Sequence, residues 1–276
     1  MDSRELRYFV AVAEELNFGR AANRLGIAQP PLSRAIQQLE RRMGVTLLAR
    51  SSRQVSLTPA GEVLLHEGRK VLTALTAAER RTRRAGAERL VLAMKANSDG
   101  GLLEKILAAY DSEVDLLICG IGEQETLLRE GQADAALLRL PHDDPEGLAY
   151  EELLTEPDVA VLPRTHRLAD RASLTMADLA DEVFPQWPGY PPTGSPVVRD
   201  SAQLLQLIAL GRTIAVLPAS TERTLRAELT CVPIDDAPTS TLAIAWPEDS
   251  RSQPLAALVA AAIECAERPP APRVPA

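Results

Sequence analysis

Along the first 58 residues, apolar side chains recur at helical spacing in three short bouts. Leu6, Phe9, Val10, Ala13 and Leu16 fall at i, i+3, i+4, i+7 and i+10, one face of an α-helix. Asn17 offers an N-cap for a second helix, Phe18 to Leu25, with Phe18, Ala21, Ala22 and Leu25 turned inward. Gly26 closes it, because a residue without Cβ takes positive φ freely, and Ile27 plugs the core from the turn. A third helix is predicted from about Pro31 to Met43, since proline is tolerated in a first turn where its missing N–H has no intrahelical partner. It buries Leu32, Ile36 and Leu39 and leaves Ser33, Arg34, Gln37, Gln38 and Arg41 outside. Leu47 to Arg50 and Arg53 to Leu57 then read as two short strands around a Ser51-Ser52 turn.

Thr58, with Pro59 behind it and Glu62 in the first turn, starts a longer helix whose pattern persists to about Ala85, roughly 40 Å at ~1.5 Å per residue. Leu64, Gly68, Val71, Leu75 and Ala78 form a seam with alternating steps of four and three. Such a seam serves either a helix packed on its own domain or one paired with a second copy. Arg80, Arg81, Arg83 and Arg84 mark its exposed end. Beyond it, strand-like runs (Leu90 to Met94, Val114 to Cys119, Ala135 to Leu138, Val159 to Leu162, Ile214 to Leu217, Leu242 to Trp246) alternate with helical ones. Those lie at about Gly101–Asp111, Glu123–Gly131, Met176–Ala180, Ser201–Ala209 and Pro254–Cys265. Alternation of this kind predicts an α/β body with largely parallel sheets.

Charge sharpens the division. The chain carries a net −8. Residues 1–58 hold nine Arg and no Lys against five acids, 9 − 5 = +4, which leaves −8 − 4 = −12 for the rest. A basic head on an acidic body suits a modular binder of nucleic acid. Two helices across a tight turn, the second with a polar outer face, describe a helix-turn-helix, although a solvated face on a three-helix bundle has the same spacing. An α-helix fits the DNA major groove, where Arg bonds guanine and Gln bonds adenine. Arg50 and Arg53 flank the strand turn, placed for phosphates or a minor groove.

The residues Leu6-Arg7-Tyr8-Phe9, Asn17-Phe18-Gly19-Arg20-Ala21-Ala22, Leu25-Gly26-Ile27-Ala28-Gln29-Pro30-Pro31-Leu32-Ser33, Leu39-Glu40 and Leu57-Thr58-Pro59-Ala60-Gly61 resemble the head of LysR-type transcriptional regulators, in order and over about 65 residues. The resemblance implies a helix-turn-helix over residues 18–37, with double-stranded DNA as partner and Gln29, Pro30, Pro31, Ser33, Arg34 and Gln37 at the groove. Arg50 and Arg53 would grip the backbone. It further implies a linker-helix dimer or tetramer, RNA polymerase as a further candidate partner, and a sensing domain similar to periplasmic solute-binding proteins. Gly131 to Leu138 and Ala209 to Pro218 resemble that domain's helix-to-strand turns.

The expected organisation is a winged helix-turn-helix at 1–58, a linker helix at 59–87, a two-lobed α/β effector domain at 88–266 and a disordered tail at 267–276. The resemblance implies that lobe I takes about 88–158 plus 239–266 and lobe II about 159–238. A small-molecule effector is expected between the lobes, outside the carboxyl ends of strands and at helix N-termini. Asn97, Ser98 and Asp99 in one lobe and Arg199, Asp200 and Ser201 in the other are the candidate contacts, Asp99 and Asp200 doubling as ordinary N-caps. Phe184 to Pro196, with five prolines, reads as an abbreviated loop that leaves a small pocket or none.

No catalytic motif, cofactor signature or metal-ligand spacing is found, so no enzyme, cofactor or metal is expected. Asp143-Asp144 reads as a solvated loop pair, and Cys119, Cys231 and Cys265 as small hydrophobes. No apolar run approaches the ~20 residues of a membrane span, and the first residues do not read as a signal peptide, so a cytoplasmic location is expected. Two other readings stand beside the effector-controlled regulator: a constitutive regulator, and a ligand-binding protein or enzyme carrying a DNA-binding head.

Overall fold

The computed structural model describes residues 1–50, 55–84, 89–188 and 194–267, and its contacts separate Met1–Arg83 from Arg84–Ala276 as two compact units.

The first unit is a winged helix-turn-helix followed by a long helix. Helix α1 (Ser3–Glu15) opens on a reciprocal cap in which Asp2 Oδ1 accepts from Glu5 N while Glu5 Oε2 accepts from Asp2 N, both at 2.8 Å. Helix α2 (Phe18–Leu25) begins where Asn17 Oδ1 accepts from Arg20 N at 2.9 Å. It ends at Gly26, φ 67°, with Ile27 N donating back to Ala22 O at 3.0 Å. Helix α3 spans Gln29–Met43, two residues earlier than the sequence predicts, because the prolines occupy its first turn rather than precede it. Leu6, Phe9, Val10, Ala13, Leu32, Ile36 and Leu39 bury into one core. Leu16, expected inward, instead caps α1 in the left-handed region and is 43% exposed, since the chain turns there before the helical period can return it to the core.

Strands β1 (Leu48–Arg50) and β2 (Val55–Leu57) pair antiparallel to make the wing. Glu40 Oε1 accepts from Leu47 N and Leu48 N, so α3 holds the wing's entry strand directly. Helix α4 (Pro59–Arg84) follows, capped by Thr58 Oγ1 accepting from Gly61 N at 3.1 Å. Its seam divides. Leu64 and Gly68 pack into the head's own core, Gly68 against Leu6, and are not open to a partner, whereas Val63 (65%) and Val71 (54%) stay exposed. The head is small, and its fourth wall is this helix.

In the second unit, β3 (Leu90–Lys95), β4 (Val114–Cys119) and β5 (Ala135–Leu140) are parallel. The other strands run antiparallel, which overturns the expectation of a largely parallel body. Strand β6 (Leu148–Pro163) lies against β9 (Thr239–Pro247) up to Pro157, then pairs with β7 (Ala215–Pro218) and β8 (Leu229–Pro233) from Asp158 onward. Apolar runs buried on both faces look alike in either direction; the crossing connections decide which way each strand points. β6 is therefore one long strand shared by two half-sheets, and the chain crosses between lobes at Pro157–Asp158 and again just before β9. Within β6, Val159 and Val161 face one core and Ala160 and Leu162 another, the period of two expected of a strand covered on both sides.

Helices α5 (Leu103–Ala109) and α8 (Gln253–Glu267) cover one face of the first half-sheet, and Leu128 of α6 (Gln124–Arg129) covers the other. Helix α7 (Ser201–Ala209) packs Leu204, Leu205 and Ile208 on the second half-sheet. Met176–Leu179 forms a single 3-10 turn, and Ala219–Thr224, not predicted helical from the sequence, forms about two. The tail at 268–276 lies outside the described residues.

Candidate functional site

Two places concentrate polar chemistry. On α3, Leu32, Ile36 and Leu39 are fully buried, so the opposite strip, Arg34, Gln37, Gln38 and Arg41, faces outward at steps of three and four. Gln29, Pro30 and Pro31 are exposed at the helix start, with Ser33 half-buried on its flank. Several other arginines of the first unit are paired within the fold. Arg42 Nη2 bonds Glu5 Oε2 at 2.5 Å, which lowers the Glu5 pKa. Arg20 pairs with Glu15, and both Arg24 Nη1 (2.7 Å) and Arg69 Nη2 (2.8 Å) reach Glu14. Burial pushes the Glu14 carboxyl up, but the two guanidinium bonds outweigh it and leave the pKa below the ordinary range. Arg34 and Arg41, by contrast, form no ion pair among the described residues. Glu5, Glu14 and Glu15 are held by Arg42, Arg24, Arg69 and Arg20, and Glu40 accepts from the backbone of the wing's entry strand, so the exposed strip presents cations and amides. Arg50 closes β1 by its backbone only; its side chain and Arg53 lie outside the described residues.

The second place is a cavity of about 200 Å³ in the second unit, between the two half-sheets. It takes Lys95, Asn97 and Ser98 from the end of β3, Arg139 and Asp143 from the end of β5, and Trp187, Ser201, Leu205, Val216 and Thr221 from the other lobe. The abbreviated loop therefore leaves a pocket: Trp187 and Pro188 form part of its wall. Of the six predicted contacts, Asn97, Ser98 and Ser201 line it, while Asp99, Arg199 and Asp200 do not. Asp99 Oδ2 accepts from Gly101 N and Leu103 N, and Asp200 Oδ1 from Gln203 N, so both carboxylates serve the backbone. Arg199 is exposed, and its carbonyl accepts from Ile121 N at 2.9 Å, a bond that ties the lobes together.

Asp143 is not the solvated loop residue the sequence suggests. It is 4% exposed and accepts from Lys95 Nζ at 2.6 and 2.8 Å and from Arg139 N at 2.6 Å. The parallel pairing of β3 with β5 brings their carboxyl ends side by side, which no local pattern reveals. Arg139, equally buried, donates from Nη1 to Glu156 Oε1 at 2.7 Å and from Nη2 to Ser220 Oγ at 3.3 Å, linking both lobes. Its signal was legible: a charge inside the apolar run Ala135 to Leu140. Deeper in the crossover, Asp158 is 2% exposed beside the buried Ser240 hydroxyl, but neither its Oδ1 nor that hydroxyl makes a hydrogen bond of good geometry among the described residues. Burial raises the Asp158 pKa and outweighs the Ser240 hydroxyl, which lowers it. Among the described residues no cluster of His, Cys, Asp and Glu could hold a metal ion.

A helix-turn-helix with an outward cationic strip, and a two-lobed α/β body with a cavity between its half-sheets, define a ligand-binding regulator of transcription as the class of protein. Residues 3–62 match the model for the bacterial regulatory helix-turn-helix protein, lysR family, and residues 83–266 the model for the LysR substrate binding domain. The chain belongs to the LysR family of DNA-binding transcriptional regulators. It is 34% identical to the uncharacterized regulator YnfL of Escherichia coli over 93% of this chain and 95% of that protein. It is also 34% identical to BenM of Acinetobacter baylyi over 86% of each. Among solved structures, full-length BenM superposes with a TM-score of 0.51 at 29% identity over 96% of both chains. CbnR bound to its target DNA does so at 0.53 and 26%, over 97% of this chain and all of that one. These relatives are transcription regulators with a head and body in the same order. No helix among the described residues is long and apolar enough to cross a membrane.

Proposed function

We propose that this regulator responds to a small molecule held in the cavity between its lobes, and that Arg34, Gln37 and the start of α3 read bases while Arg50 and Arg53 contact the DNA backbone. The proposed division of labour is 1–58 for DNA, 59–87 for pairing and 88–266 for sensing, in a chain that acts in the cytoplasm and catalyses nothing. The observation that carries the reading is the cavity itself, lined from both lobes and bridged by Arg139, so that a ligand there touches both half-sheets at once. A ligand with different affinities for open and closed lobes shifts that equilibrium by the difference, which is how binding reaches the DNA-reading head. The same cavity favours an effector-controlled regulator over a constitutive one.

Self-association follows from exposed apolar residues on two elements. Val63 and Val71 stand out from α4, and Leu116 (43%) and Ile118 (55%) from the sheet-edge strand β4. A dimer covers such surface and sets two heads at the spacing of a two-fold operator.

The test uses the full chain and DNA from upstream of its own gene in a fluorescence-anisotropy titration. Arg34→Ala is expected to cost ~1–3 kcal/mol and to relax preference at one base pair. Ser201→Phe, which fills the cavity, is expected to leave DNA affinity intact and abolish any ligand-dependent shift. Undiminished operator preference in Arg34→Ala would show that α3 does not read bases.

A further inference from the structure

The charges around the cavity cancel one another before any ligand arrives. Lys95 and Arg139 are its buried cations, and each already holds a carboxylate, the buried Asp143 at 2.6 Å and the largely buried Glu156 at 2.7 Å. The positive end of α7, the helix that opens into the cavity at Ser201, is met by Asp200, whose Oδ1 accepts from Gln203 N at 2.8 Å. The first-lobe turn is likewise answered by Asp99. His142 also lines the cavity and is exposed.

An anion entering this space finds no uncommitted buried cation among the described residues. It must give up its hydration without an opposite charge in return, or displace Asp143 or Glu156 and leave that carboxylate buried alone. A cation meets the mirror-image difficulty. A neutral polar group does not. The hydroxyls of Ser201 and Thr221 line the cavity, are partly accessible and make no hydrogen bond to another described residue, so each can give or accept one. Trp187, Leu204, Leu205, Val216 and Leu217 supply an apolar wall on the same side.

We infer that the ligand of this cavity is an uncharged molecule, a single ring or short branched chain with one hydroxyl, carbonyl or amide end. The end bonds Ser201 and Thr221, and the body lies against Trp187 and the leucines of α7. A cavity of about 200 Å³ sets its size at roughly 8–10 non-hydrogen atoms, by comparison with the 150 Å³ apolar cavity that holds benzene. The inference rests on the reading of the cavity as the effector site and adds the charge class of what enters it.

Calorimetric titration of the full chain with four probes of one shape separates the cases: benzyl alcohol and benzamide as neutral molecules, benzoate and benzylammonium as ions. The neutral pair are expected to bind about tenfold or more tightly than either ion. Glu156→Gln, outside the lining, releases Arg139 and is expected to raise benzoate affinity by about tenfold while leaving benzyl alcohol within about threefold. Asp143→Asn, in the wall itself, releases Lys95 and is expected to raise the ratio of benzoate to benzyl alcohol affinity by about tenfold. Either variant serves if the other does not fold, as judged by circular dichroism. Benzoate binding as tightly as benzamide to the unaltered chain overturns the neutral class and leaves the effector site standing. No heat from any probe at about 10 mM, or binding unaffected by Ser201→Phe, overturns the site together with the inference.

Discussion

At the scale of single residues, the side chains that matter differ in how their charge is answered. Arg34 meets no acid among the described residues, whereas Arg139 and Lys95, buried, have one each. Asp158 forms no ion pair among the described residues, and one of its carboxylate oxygens has no hydrogen-bond partner there. Its pKa is raised in the fold, so it stabilises the protein when protonated, and that contribution is lost as pH rises through the folded-state value. Asp158→Asn is therefore expected to raise the melting temperature at mildly alkaline pH, with a gain that shrinks as the pH is lowered into the carboxylate range. A gain that grows toward acid would reverse the assignment. Cys119 and Cys231 are held up to about 11, by burial and then by neighbouring acids, Glu123 foremost for Cys119 and Glu222 for Cys231. The thiolate is the reactive form, so at neutral pH both are expected to alkylate about two orders of magnitude more slowly than a free thiol. Mass spectrometry after a timed iodoacetamide pulse reads this directly, and rapid labelling of either would contradict it.

Among the elements, the junction of wing and long helix is the most constrained. A Cβ on Gly61 would sit 2.1 Å from the Leu47 carbonyl oxygen, a backbone atom that also accepts from Thr58 N. Neither partner can step aside without breaking the wing. Gly61→Ala is expected to destabilise the head by about 2–3 kcal/mol, the upper part of the usual cost of overpacking, seen as a lower urea midpoint in the full chain. An unchanged midpoint would mean the junction is softer than its geometry. At this scale the sequence was most legible in α2 and α7, whose bounds follow from local caps, Asn17 with Gly26 and Asp200. It was least legible in β6 and β8. The acidic first half of β6, from Tyr150 to Glu152, does not read as strand, and β8 is five residues with Thr and Cys in an apolar frame. Both exist because neighbouring strands supply their hydrogen bonds, and propensity in a strand is mostly a matter of its neighbours.

For the whole molecule, the opposed charges of head and body predict how it meets DNA. With phosphate contacts made by arginines of the head, log affinity should fall linearly with log salt, and Arg41→Ala should lower the slope by about one without changing base preference. Light scattering at micromolar concentration is expected to show a dimer or tetramer; monomer alone would remove the exposed faces of α4 and β4 as pairing surfaces. The sequence by itself determined the head, where caps, glycines and helical spacing act within a few residues of each other. It also carried the overall charge division. What only the tertiary structure decided is the chemistry of the cavity. Lys95 meets Asp143 across 48 residues and Arg139 meets Glu156 across 17, and a cation's availability to a ligand depends on which carboxylate the strand order brings beside it. Periodicity reports which face of an element is buried; it cannot report what that face is buried against.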